Sequence, residues 1–85
     1  MREFTYTIKD ELGIHARPAG LLVKEAAKFS ATVKIAKGEK SADAKKLFAL
    51  MGLGVKNNDE ITVTCEGADE DAAAEALQVF LAANL

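Results

Sequence analysis

The sequence specifies a mixed α/β (α+β) domain, an open-faced β-sandwich in which a four-stranded antiparallel sheet is covered on one side by three helices in the order βαββαβα. Apolar residues recur with the period of a strand, then of a helix, in alternation along the chain. Each strand candidate has one apolar face and one face of hydroxyl-bearing or charged side chains, as in an antiparallel sheet that is wet on one side. At 85 residues the chain suffices for one compact domain, 1–85, and not for two.

In "EFTYTI", Phe4, Tyr6 and Ile8 alternate with Thr5 and Thr7, giving the first strand. From Pro18 onward Ala19, Leu22, Val23 and Ala26 follow helical spacing, with Lys24, Glu25 and Lys28 on the other side. "TVKIA" and "KSADA" form a hairpin, with Val33, Ile35, Ala42 and Ala44 inward. Its turn places Gly38 first in a two-residue loop, where a type II′ turn needs positive φ. "KLFALMGLG" is one or two helical turns stopped by Gly52 and Gly54. "EITVTCEG" turns Ile61, Val63 and Cys65 inward as the last strand. Asp69 is expected to cap the closing helix, with Glu70 and Asp71 at its positive end and Ala73, Leu77, Phe80 and Leu81 as its apolar stripe.

Composition narrows the partners. Eleven basic against thirteen acidic side chains, a net charge of −2 and few aromatics argue against nucleic acid. No apolar run approaches the roughly 18 residues of a membrane span, and no secretory leader is evident. The single Cys65 can form neither an internal disulfide nor a thiolate metal cage. A cytoplasmic protein without a thiolate metal site is expected, with proteins or small anions as its partners.

"GIHARPAG", residues 13–20, holds the chain's one histidine and one proline. Pro18 suits a first helical turn because its missing N–H would have no intrahelical partner there. His15 then falls at or beside the N-cap, the N–H groups of Ala16 and Arg17 point outward, and the Arg17 guanidinium adds a fork that fits an oxyanion. The positive helix end also favours a neutral, nucleophilic imidazole over its protonated form. A lone histidine near an arginine is more often a cap or a solvated loop residue than a nucleophile, so local spacing leaves both readings open.

"GIHARPAG", "KLFALMGLGV", "DEITVTCEGADE" and the helical tail together resemble the HPr family, the histidine-containing phosphocarriers of the bacterial phosphoenolpyruvate-dependent sugar phosphotransferase system. The resemblance spans essentially the whole chain, and its Gly-x-His-x-Arg-Pro core is specific. It implies that His15 takes a phosphoryl group on Nδ1 from phosphorylated enzyme I and passes it to the IIA component of a sugar permease. It implies that Arg17, with Ala16 and Pro18, holds the phosphate, and that Ala16, Leu47, Phe48 and Met51 form the docking surface. Leu50 and Leu53 are expected in the core. Transcription regulators are a further class of partner. Such a protein is a carrier and a substrate of its partners, with no cofactor, rather than a free-standing enzyme.

The pattern departs from the family at three points. Lys46 stands where a regulatory serine is usual, so the hydroxyl that a dedicated kinase phosphorylates is missing. Leu12 replaces a small polar residue, and Gly38 sits one place earlier than the frequent Asn-Gly pair. Two other classes compete with the carrier. A regulatory module of the same fold would keep the serine and lose the histidine, the reverse of what is seen. A metal-binding domain would need more soft ligands than one Cys and one distant His.

Overall fold

The computed structural model describes all residues, Met1–Leu85. Its elements are β1 (Arg2–Thr7), α1 (Ala16–Ala27), β2 (Thr32–Lys37), β3 (Lys40–Asp43), α2 (Leu47–Met51), β4 (Glu60–Glu66) and α3 (Glu70–Asn84). The strands form one four-stranded sheet in the order β1-β4-β2-β3, with every neighbouring pair antiparallel. This is the expected βαββαβα sandwich.

The two faces follow from the side-chain alternation of a strand. Phe4 pairs with Val63 and Tyr6 with Ile61 across β1 and β4, while Val33 pairs with Cys65 and Ile35 with Val63 across β2 and β4. These residues look toward the helices. Thr5 pairs with Thr62 and Lys34 with Thr64 on the solvent face. The core is apolar throughout, with no polar or charged side chain buried. α3 packs against β1 and β4, α2 lies by β3, and α1 contacts both other helices.

At the hairpin, Lys37 faces Lys40 and Gly38 has φ +59°. Glu39 is not in the left-handed region, which is the geometry of the expected II′ turn. α1 begins two residues before Pro18, at Ala16, so the proline occupies the third helical position.

Asp69 departs from its expected role. It is the N-cap residue of α3, but its side chain makes no capping bond. Its two carboxylate oxygens instead accept from the N–H groups of Ser30 at 2.9 Å and Ala31 at 2.8 Å. The loop after α1 thus takes the carboxylate that helical propensity would direct to α3, and those bonds hold the Asp69 carboxyl below the usual carboxylate range.

Candidate functional site

His15 is the N-cap of α1, with extended backbone at φ −105°, ψ −177° and no side-chain capping bond. Its carbonyl accepts the first intrahelical bond, from Ala19 N–H at 2.9 Å. The N–H groups of Ala16 and Arg17 have no protein acceptor, and Pro18 has none to offer. The imidazole, not spent on capping, stands beside two outward-pointing donors at a positive helix end.

The loop before α1 is anchored on both sides. Ile14 is buried and donates its N–H to the Val55 carbonyl at 3.1 Å. The N–H groups of Lys9 and Asp10 both donate to the Leu85 carbonyl, at 2.6 and 2.8 Å. Gly13 has φ +68°, and a Cβ there would fall on the Val55 carbonyl oxygen and 2.7 Å from Lys56 Cα. Glycine is thus required at this position both by its dihedral and by the close approach of the α2–β4 connection.

A shallow recess of about 250 Å³ opens beside the histidine, lined by Asp10, His15, Arg17, Pro18, Leu21 and Asn84. Three of these, His15, Arg17 and Pro18, are residues the sequence singles out. Asp10, Leu21 and Asn84 were not among them. An Asp three residues before a Gly signals an Asx turn, and Asp10 Oδ1 indeed accepts from Leu12 N–H at 2.8 Å. Asn84 comes from the last turn of α3, too far along the chain for any local pattern to reveal it. Leu12 itself is 72% exposed, and its side chain offers no hydrogen bond at this site.

α2 packs beside α1. On it Phe48 is 86% exposed and Met51 is also exposed, while Leu47 is partly buried against the core. Leu50 and, two residues past the helix, Leu53 are buried as expected, whereas Leu47, expected with Phe48 and Met51 on the surface, lies partly in the core. Lys46 is the N-cap of α2 in extended conformation and makes no side-chain capping bond. A lysine has no acceptor for the helix N–H groups, which a serine would have supplied. Lys45 is engaged elsewhere: its Nζ donates to the Phe29 carbonyl at 2.7 Å, just beyond the C-terminal end of α1. Cys65 lies fully buried on β4, and burial pushes its thiol up, which keeps it protonated.

A half-exposed N-cap histidine with an arginine in the first turn, on an open-faced sandwich, sets one imidazole at the molecular surface beside a cationic fork. A family model described as PTS HPr component phosphorylation site matches residues 2–83. The chain is 42% identical over 85 residues to the phosphocarrier protein HPr of Mycoplasma genitalium, covering 99% of this chain and 97% of that one. It superimposes on a crystal structure of HPr-C-His from Thermoanaerobacter tengcongensis with a TM-score of 0.94 at 38% identity, covering 99% and 94% of the two chains. An HPr dimer from the same organism matches with a TM-score of 0.78 at 38% identity, covering 98% and 95%. The chain belongs to the HPr family, the phosphocarriers of the phosphotransferase system.

Proposed function

We propose that this chain accepts a phosphoryl group on Nδ1 of His15 from phosphorylated enzyme I and delivers it to IIA components of sugar permeases. The observation that carries this reading is the open N-terminus of α1, where the imidazole stands beside the unpartnered N–H groups of Ala16 and Arg17. Those donors and the Arg17 guanidinium are suited to the oxygens of a phosphoryl group, which gains most from charge-assisted bonds. Pro18 sets the backbone of that turn without competing for the anion.

Docking falls to Ala16 with Leu47, Phe48 and Met51. An aromatic side chain as exposed as Phe48 loses no packing when a partner covers it, and it supplies the kind of anchor that protein interfaces use. Lys46 leaves the edge of this surface positive, so the chain stands outside control by a serine kinase at that position. It works in the cytoplasm as a monomer.

Incubation with phosphoenolpyruvate and enzyme I, followed by mass measurement, tests the reading. One phosphoryl group should appear, labile in acid and stable in base as a phosphoramidate is, and His15→Ala should abolish it. Arg17→Ala should slow transfer by roughly ten- to 150-fold, the equivalent of a charge-assisted bond of about 1.5–3 kcal/mol. An acid-stable adduct, or undiminished labelling of His15→Ala, would overturn the assignment.

A further inference from the structure

The recess at the start of α1 contains one carboxylate, that of Asp10, for which the reading above has no role. Asp10 Oδ1 lies 3.7 Å from His15 Nε2, with both side chains only partly exposed. The loop backbone fixes where that carboxylate stands. Asp10 N–H donates to the Leu85 carbonyl at 2.8 Å, its carbonyl accepts from Gly13 N–H at 3.0 Å, and its Oδ1 accepts from Leu12 N–H at 2.8 Å.

A neutral imidazole carries one proton, and only the other nitrogen has a lone pair free to attack. A carboxylate facing one ring nitrogen favours the proton there, and at 3.7 Å, beyond hydrogen-bond length, Asp10 does so by its charge. We propose that Asp10 is a positioning residue that holds the His15 proton on Nε2 and so makes Nδ1 the reacting nitrogen. The proposal rests on His15 being the phosphoryl acceptor.

The transfer balances without loss of a ring proton. The Nδ1 lone pair forms the bond to phosphorus, and the bond from phosphorus to the donor breaks with its electron pair returning to the donor. Nε2 keeps its hydrogen. The ring then carries positive charge facing Asp10, while Arg17 lines the same recess as the cation available to the phosphoryl oxygens. A phosphoryl group on Nε2 would instead meet the Asp10 carboxylate, like charge against like. Both effects act in the same direction.

The test begins on the unphosphorylated protein, with imidazole nitrogen-15 shifts recorded where the ring is neutral. The unaltered protein should be almost wholly protonated on Nε2. Asp10→Asn and Asp10→Ser, which both keep an acceptor for Leu12 N–H but lose the charge, should raise the Nδ1-protonated fraction by roughly threefold or more. After labelling through enzyme I, both variants should label more slowly or carry part of the phosphate on Nε2. Unmoved shifts in both variants would overturn the proposal, and so would shifted tautomers with unaltered labelling at Nδ1. If the unaltered protein takes no label while its tautomer responds to Asp10, the acceptor reading fails and the orienting contact stands.

Discussion

Phe48 and Leu50 sit two residues apart on the same short helix, and replacing each by alanine separates surface from core. Phe48 is 86% exposed, so folding removes only roughly 30 Å² of its side chain from water, about 0.7 kcal/mol at ~25 cal/mol per Å². Leu50 is 0% exposed, and its truncation should cost about 2–5 kcal/mol through lost burial and the cavity left behind. For a domain of this size roughly 1 kcal/mol moves the melting midpoint by about 4–8 °C. Phe48→Ala should therefore melt within about 6 °C of the unaltered protein, and Leu50→Ala at least about 8 °C below it. Calorimetry measures both, and titration with enzyme I by isothermal calorimetry should show weaker binding for Phe48→Ala. A Phe48→Ala variant that loses about 3 kcal/mol or more would mean that the ring is packed, and the division of α2 into core and docking faces would be wrong.

The carboxylate of Asp69 is held low chiefly by the N–H of Ser30, and then by that of Ala31, so the stability it contributes is full above the unfolded value near ~3.9 and is lost as pH falls through the lower folded value. Asp69→Asn should lower the urea midpoint at neutral pH and flatten its decline in acid. Parallel curves for the two proteins would contradict this. Gly13→Ala should destabilise the protein by at least about 1–3 kcal/mol through the positive φ alone, with the clash at Val55 added, and should perturb the His15 resonances; a melting point equal to that of the unaltered protein would refute the close approach. Lys46→Glu should slow association with enzyme I by roughly two- to tenfold at low salt, with the difference shrinking as salt rises. Stopped-flow rates that ignore both the substitution and the salt would remove Lys46 from the docking surface.

Much of the architecture is legible because it is written in periodicity. Phe4, Tyr6 and Ile8 against Thr5 and Thr7 define a half-buried strand without reference to any neighbour, and Gly38 declares its turn through backbone chemistry. The histidine loop is readable for the same reason: Pro18 and the N-cap place His15, Ala16 and Arg17 by local rules. What escapes is settled by distant partners. Gly13 looks like a plain loop glycine until the Val55 carbonyl is set against it. Asp69 satisfies every local criterion for a cap, yet its carboxylate is drawn to Ser30 and Ala31 across the fold. Lys45 reads as one more surface charge beside Lys46, whereas its ammonium is bound to the Phe29 carbonyl. Asp10 and Asn84 reach the site from different ends of the chain, and only the packed loop brings them to His15.

The strand order also governs how the molecule can assemble. β4 lies between β1 and β2, so β1 has no sheet partner until residues 60–66 exist and arrive. During synthesis β1 must therefore wait with Phe4 and Tyr6 uncovered, while the β2–β3 hairpin closes over a two-residue turn on a timescale of roughly microseconds. The sheet is completed by its second-to-last element, which joins segments far apart in sequence at the loop-closure cost that slows such topologies. The histidine loop follows β1 directly and relies on Val55 and Leu85 for its anchors, so it takes its final shape only after residue 85 has emerged.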